Sequence, residues 1–311
     1  MTKENKIVAI QADRLDSMNI KTDTTILLAL EAQKRGFRIF CYETKNLSFI
    51  NGKVYALSKE VTFKINAKNF YTIKNIKKLD LSKVNYILMR QNPPFNMNYI
   101  TATFLLEKIS KKVRIINDPT SVRNIPEKLH SIEFLKLMPP TIFTKDIKEI
   151  EKFKKKYKKI VVKPTHGYGG KNILFINSKL NRNKMFKYIK KHDYVMVQKF
   201  LTQIKYGDKR VFIIAGKIKG AIRRIPVKGS ILSNIGQGGK AVKTNLTKSE
   251  LHIAKIVAKN LKRNKIVFAG IDLISNYLIG DINITSPTGL KNFKDLTGIN
   301  LAVDFWNYLE N

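Results

Sequence analysis

Three stretches of the chain carry residue types at spacings that suit phosphate and metal chemistry. The first is Val161-Val162-Lys163-Pro164-Thr165-His166-Gly167-Tyr168-Gly169-Gly170. A lysine at a strand end can neutralise a phosphate, and a glycine loop lets backbone N–H groups approach phosphate oxygens. It is not a Walker A loop, because no Gly-Lys-Ser/Thr follows at that spacing; a glycine-rich hairpin turn is the plainer alternative. The second is Gly270-Ile271-Asp272 followed by Asp281-Ile282-Asn283-Ile284-Thr285. Asp281 and Asn283 lie two apart and so share one face of a strand. Hard oxygen donors on rigid strands are what magnesium takes when it also keeps water and bridges phosphates. Polar residues near strand ends are common too, but acids on apolar strands stand out among 23 acidic and 59 basic residues. The third is Gly207-Asp208-Lys209-Arg210 with Arg223-Arg224-Ile225-Pro226. If these are antiparallel strands joined through residues 216–220, Arg210 and Arg224 converge on one site. Guanidinium forks suit carboxylate or phosphoryl oxygens, with exposed basic strand residues as the alternative.

The elements that must position these residues follow from periodicity and punctuation. The first third alternates strands and helices: a strand over 6–12, a helix over 24–35 with Asp23 at its N-cap, and a strand over 37–42 after Gly36. Asn51-Gly52 between two apolar runs predicts a hairpin. A strand over 86–89 leads to Arg90 and the loop QNPPF, then a helix over 99–111 and a strand over 113–116. This alternation argues for an open, largely parallel sheet. Asn117-Asp118-Pro119 breaks the pattern and marks a boundary near 117–127. A small mixed segment follows, with strands over 160–163, 172–176 and 194–198. The last third has strands over 210–215, 221–225, 267–274 and 277–283, a helix over 248–262 and a closing helix.

Composition bounds the class. The chain has 311 residues, 43% of them apolar and spread along its length, so it is globular and large enough for two or three subdomains. No apolar run approaches the roughly 20 residues of a membrane span, and the start, MTKENKIVAIQAD, shows no secretory leader pattern. A single cysteine, Cys41, excludes an intrachain disulfide framework, and four scattered histidines give no zinc spacing. These features point to the cytoplasm. The net charge of +36 raises a nucleic-acid reading. The excess is mostly dispersed lysine, in a composition that a drift toward Lys, Ile and Asn codons would produce. In its densest run, EKFKKKYKKI, Phe153 and Tyr157 share a helical face and leave the lysines to water.

In this order the stretches resemble the ATP-grasp carboxylate–amine ligases, and within them the bacterial glutathione synthetases, nearly end to end. The pieces stand here as NIKTDTT (19–25), EAQKRG (31–36), ILMRQNPPF (87–95), NDPTSVRNIPEKL (117–129), VVKPTHGYGG (161–170), YGDKRVF (206–212), RRIP (223–226) and AGIDLI with DINITSPTG (269–289). The resemblance implies an α/β ATP-grasp fold. Its parts would be an N-terminal open parallel-sheet domain over 1–122, a small central lid subdomain over 123–200 and a C-terminal α+β subdomain over 201–311.

The resemblance also implies roles. Lys128 and Lys163 would hold ATP phosphates under the loop Gly167, Gly169 and Gly170. Gln198, Lys199, Phe200 and Leu201 would read the adenine edge, with Asp208 close to the nucleoside. Asp272, Asp281 and Asn283 would carry magnesium or manganese. Arg210 and Arg224 would stabilise charge on the acyl phosphate and the tetrahedral intermediate. Asn19, Asp23 and Arg90 are candidates for the dipeptide, and Ser286, Pro287, Thr288 and Gly289 for the acceptor end. The substrates would be γ-glutamylcysteine and glycine, with no membrane and no specific nucleic acid as partner, and the family suggests a homo-oligomer. Three positions depart from the family pattern: Asp281 stands where the family has Glu, Leu232 where it tends to place arginine, and Asn92 where an Asp precedes Pro-Pro. The alternatives are another ATP-grasp ligase joining a different acid and amine, and a basic nucleic-acid-binding protein.

Overall fold

The computed structural model describes residues 6–65 and 69–311, and the extreme N-terminal residues of the leader reading lie outside them. The first sheet begins with β1 (Ile7–Gln11), α1 (Thr24–Lys34) and β2 (Arg38–Tyr42). It continues through β3 (Leu47–Ile50), β4 (Lys53–Phe63), β5 (Tyr71–Asp80), β6 (Tyr86–Met89), α2 (Met97–Glu107) and β7 (Arg114–Ile116). Strands β2, β1, β6 and β7 lie side by side and parallel, as the alternation predicts. The other three do not: β4 joins β2 antiparallel, with β3 and β5 antiparallel to β4. The Asn-Gly hairpin is real, with Asn51 at φ 48° and Gly52 at φ 76°. Positive φ at both positions matches the strands' own twist.

Local chemistry sets the helix starts. Asp23 caps α1 by accepting from Thr25 N (2.6 Å) and Ile26 N (3.4 Å). Asn96 accepts from Tyr99 N (3.1 Å), so α2 begins at Met97, two residues before the apolar pattern suggests.

After a short helix, α3 (Pro119–Asn124), the central sheet takes the order β10-β9-β11-β8 and is antiparallel throughout. Its elements are β8 (Thr141–Thr144), α4 (Ile147–Tyr157), β9 (Ile160–Pro164), β10 (Leu174–Ile176), α5 (Arg182–His192) and β11 (Val195–Lys199). In α4, Ile150 and Phe153 are buried while Lys155 and Lys156 face water. The lysine run is a solvated helix face.

The third sheet, β14-β13-β12-β15-β16, is also antiparallel. It comprises β12 (Asp208–Ile214), β13 (Lys217–Ile225), β14 (Lys240–Lys243), β15 (Phe268–Ile274) and β16 (Tyr277–Asn283), with α6 (Lys248–Arg263) against it. Thr247 and Glu250 form a capping box on α6. Glu250 also takes the Lys209 ammonium at 2.6 Å, which ties β12 to the helix. The closing helix is two helices, α7 (Leu290–Thr297) and α8 (Leu301–Glu310), separated at Gly298 with φ 77°. Helix α8 returns to the first sheet. The fully buried Trp306 lies 5.3 Å from the Phe37 ring and donates to Leu28 O at 2.8 Å.

The first and third sheets are joined at Asn117, just after β7. Its amide donates to Phe268 O (2.8 Å) and Ile284 O (2.6 Å) and accepts from Val267 N and Phe268 N (both 2.9 Å). Both polar atoms of its side chain are satisfied by backbone of β15 and of the residues flanking β15 and β16.

Candidate active site

The third sheet aligns four charged side chains by register alone. Asp208 pairs with Arg224 across β12–β13, and Arg210 with Asp272 across β12–β15. With a period of two, all four project from one face, while Lys209 turns to the other face and Glu250. Arg210 makes a two-bond fork on Asp272, Nε at 2.5 Å and Nη2 at 2.9 Å. Arg224 forks Asp208, with Nε at 2.8 Å, and its Nη2 also reaches Asp272 Oδ2 at 2.9 Å. Gly270 leaves room for this: a Cβ there would lie 2.8 Å from Arg210 Cδ. Burial alone would lower the Arg224 pKa, but Asp208 and Asp272 raise it above the ordinary value. Burial pushes Asp272 up, and Arg210 and Arg224 outweigh it and hold the carboxyl below its usual range. Asp208 moves the other way: its desolvation exceeds what Arg224 returns. The convergence of Arg210 and Arg224 expected from their spacing is therefore real.

Beside this cluster, Asp281 on β16 sits between two lysines. Lys128 Nζ lies 3.2 Å from Oδ1, and Lys163 Nζ lies 3.2 Å from Oδ2. Lys128 also donates to Gly167 O, and Lys163 to Ile279 O at 2.9 Å. Burial would raise the Asp281 pKa, but Lys163 and Lys128 hold it well below the carboxylate range. Asn283, two residues on, donates from Nδ2 to Gly270 O at 3.2 Å, and among the described residues its carbonyl oxygen accepts no hydrogen bond. Asp272, Asp281 and Asn283 all border one cleft. Two carboxylates and an amide oxygen form a hard donor set of the kind magnesium takes, so the residues present fit that ion.

The cleft is walled by Lys163, Gly169 and Gly170 on one side and by Gln198, Lys199, Phe200 and Leu201 on another, with the ionic cluster at its floor. Ile274 and Ile279 add apolar surface of the kind that suits a base. At the end of β11, the Lys199 N–H goes to Pro140 O (2.9 Å), and just past it the Phe200 N–H goes to Lys159 O (3.0 Å). The Gln198 amide nitrogen goes to Thr141 Oγ1 (2.9 Å). Among the described residues the Leu201 N–H stays unengaged. Residues 231–234, including Leu232, close over the glycine loop. Gln237 Nε2 donates to Gly169 O at 3.3 Å. Gly170, with φ 76°, fits under Asn234, whose Oδ1 would stand 2.7 Å from an added Cβ. Gly167 lines a small adjoining cavity with Phe95 and His166.

A second cavity continues from the first. It shares Glu127, Arg210, Arg224 and Asn283 with it and adds Asn92, Ser286, Thr288 and Gly289. Beyond lies a smaller one with Asp13, Asp23, Arg90, Asn92, Ser286 and Thr288. Arg90 is buried there, donating to Thr25 Oγ1 (3.2 Å) and Pro287 O (2.9 Å), while Ser286 Oγ donates to Arg90 O (3.1 Å). Burial lowers the Arg90 pKa to about 10, against the pull of Asp23. Asn19 differs from the other candidates. It is exposed, borders none of these cavities, and spends its Oδ1 on Lys21 N at 2.9 Å in the turn before α1.

Sequence reasoning passed over Asp13, Glu127 and Thr285. Glu127 is half-buried, borders three cavities, and accepts from Thr285 Oγ1 at 2.7 Å. Burial raises its pKa, opposed by Lys128 and by the Thr285 hydrogen bond. Glu127 precedes Lys128 directly, and that adjacency was the available signal.

Residues 7–123 match the N-terminal domain of prokaryotic glutathione synthetase, and residues 127–298 match the ATP-grasp domain of the same enzymes. The glutathione synthetase of Mesorhizobium japonicum is 39% identical over 308 residues, covering 97% of each chain. That of Agrobacterium fabrum is 37% identical over 310 residues, covering 98% of this chain and 96% of its own. Among solved structures, D-alanyl-alanine synthetase A of Vibrio cholerae superposes with a TM-score of 0.63 at 13% identity over the whole of both chains. The ATP-grasp ligase PsnB, solved with its minimal precursor, Mg and ADP, gives 0.61 at 13% identity, covering 98% of this chain and 97% of its own. These structures share the fold. The chain belongs to the prokaryotic glutathione synthetase family and is an ATP-dependent ligase of the ATP-grasp fold.

Proposed function

We propose that the chain joins γ-glutamylcysteine to glycine, forming glutathione and releasing ADP and phosphate. The observation that carries this reading is the continuous run of cavities from the nucleotide cleft past Arg210 and Arg224 to Asp13, Asp23 and Arg90, in a chain of this family. A carboxylate is a poor acylating agent. Transfer of the ATP γ-phosphoryl group to the cysteinyl carboxylate turns its oxygen into a leaving group. The glycine nitrogen then forms the C–N bond as the C–O bond to phosphate breaks; of the two protons it sheds, one leaves with phosphate and one goes to water. The protein positions reactants and neutralises charge.

In this reading Lys128 and Lys163 hold phosphate oxygens, and the Gly167–Gly170 loop with residues 231–234 keeps water from the acyl phosphate. The adenine lies against Gln198–Leu201, with the Leu201 N–H as donor, and Asp208 acts through Arg224. Arg210 and Arg224 meet the charge that develops at the acyl phosphate. Asp272, Asp281 and Asn283 would hold magnesium, as a ligase of this fold does with ADP, and the ion would neutralise phosphate charge; manganese would suit the same oxygens. The carboxylates Asp13 and Asp23 beside Arg90 suit the zwitterionic γ-glutamyl end, and Ser286, Pro287, Thr288 and Gly289 border the path to the acceptor. Asn19 then acts only by shaping the turn ahead of Asp23.

The division of labour we infer is substrate binding by residues 1–122, a lid over 123–200 and catalysis over 201–311, supported by the three separate sheets. Among the described residues no helix is long and apolar enough to cross a membrane, in keeping with a cytoplasmic site of action. Leu57 and Ile76, exposed on the β4–β5 pair, offer a face for a homo-oligomer. An assay with ATP, magnesium, γ-glutamylcysteine and glycine should yield glutathione with equimolar ADP and phosphate, and almost none without glycine. Turnover only with a different acid and amine would assign the chain to another ATP-grasp ligase.

A further inference from the structure

Lys163, Arg210 and Arg224 line the cleft and Lys128 stands beside it, each paired with a carboxylate, and the acceptor amino acid must bring an ammonium among these cations. Like charges repel at such range. Three of the carboxylates bordering the cleft are already taken: Asp208 by Arg224, Asp272 by Arg210 and Arg224, and Asp281 by Lys128 and Lys163. Glu127 is the exception. Among the described residues its carboxylate makes no ion pair, and its side-chain partner is the neutral Thr285 hydroxyl. The charged groups around it are Lys128, whose ammonium is spent on Asp281 and Gly167 O, and Asp281 itself.

Position matches charge. Glu127 borders the nucleotide cleft, the second cavity with Arg210, Arg224 and Thr288, and the small cavity beneath Gly167 and Tyr168. A group bound there stands beside the phosphate-binding lysines and the arginines on the path of the dipeptide. The Thr285 hydroxyl holds Oε1 at 2.7 Å and its backbone N–H also supports the carboxylate, so one neutral residue orients it. Asp13 and Asp23, which also make no ion pair among the described residues, border the far cavity, so an ammonium at each end of the site would meet a separate carboxylate.

We propose that the Glu127 carboxylate binds the ammonium of the acceptor amino acid and holds its nitrogen facing the acyl carbon, which it attacks once one proton has passed to water. The proposal rests on the ligase reading above and adds the receptor for the second substrate. Steady-state kinetics of the full chain and Glu127→Gln test it. The glycine KM should rise at least about tenfold, the scale of losing a hydrogen bond to a charged group, while the KM values for ATP and γ-glutamylcysteine stay within about twofold. Hydroxylamine supplies a second readout, because it is neutral at the assay pH and brings no ammonium. Hydroxamate formation by Glu127→Gln should therefore stay close to wild type. If Glu127→Gln is too unstable to assay, Glu127→Asp, with the charge one methylene back, should show the same pattern more weakly. An unchanged glycine KM, or equal loss with glycine and hydroxylamine, overturns the proposal and leaves the ligase reading standing. A wild-type protein that ignores glycine overturns both.

Discussion

Lys163 Nζ stands 3.2 Å from Asp281 Oδ2 while also donating to the Ile279 carbonyl at 2.9 Å. The lysine we assign to phosphate and the carboxylate we assign to metal thus neutralise each other in the protein alone. Nucleotide and metal arriving together can replace that pairing without stranding either charge, whereas either alone leaves one partner short.

The first prediction follows from that pairing. Asp281→Ala should abolish ADP release by removing the anchor shared by metal and lysines. Asp281→Glu, which extends the carboxylate by one methylene, should retain activity and lower the magnesium concentration for half-maximal rate. Magnesium titrations of the initial rate check both, and normal turnover of the alanine variant would make Asp281 a purely structural strand residue.

Asp281 also predicts an acid response. Its folded pKa lies below the ordinary value of 3.8. The stability it contributes is therefore full above that value and is lost as pH falls toward the folded pKa. Asp281→Asn should flatten the loss of stability below about pH 4 relative to wild type, as urea midpoints across that range would record.

Arg224 bridges Asp208 and Asp272 through a planar fork that lysine cannot reproduce. Arg224→Lys keeps the charge, so kcat should fall by about tenfold or more while the KM for ATP changes less. An unchanged kcat would remove Arg224 from the catalytic group.

Asn117 satisfies four backbone groups of the third sheet from the end of the first. Asn117→Ala strands those groups in a buried joint. We expect a loss on the order of 3 kcal/mol, measured by denaturant unfolding.

Cys41 is buried on β2, and desolvation pushes its thiol up to about 12. The reactive thiolate is therefore suppressed at neutral pH. Iodoacetamide at pH 8 should leave the native protein unmodified and alkylate it fully in denaturant, as mass spectrometry would show.

The sequence alone determined whatever local chemistry fixes. Asp23 as an N-cap, Asn51-Gly52 as a hairpin turn, and the shared face of Asp281 and Asn283 depend on spacing and backbone preference over a few residues. The convergence of Arg210 and Arg224 was legible as a condition, since it needed only that two strands be antiparallel neighbours. The motifs read in order also carried the family. Tertiary structure decided which charges meet. That Asp281 lies between Lys128 and Lys163, residues far apart along the chain, depends on how the central and third sheets face each other. The antiparallel β4 and β5 were hidden because an extension of a sheet edge leaves no mark on the strand–helix alternation around it. Asn19, plausible by motif, turns outward because its side chain is committed to the turn before α1. Glu127 showed in the sequence only as the neighbour of Lys128, because its distinction is relational: among the described residues its carboxylate makes no ion pair, and only the placement of the other charges around the cleft reveals that.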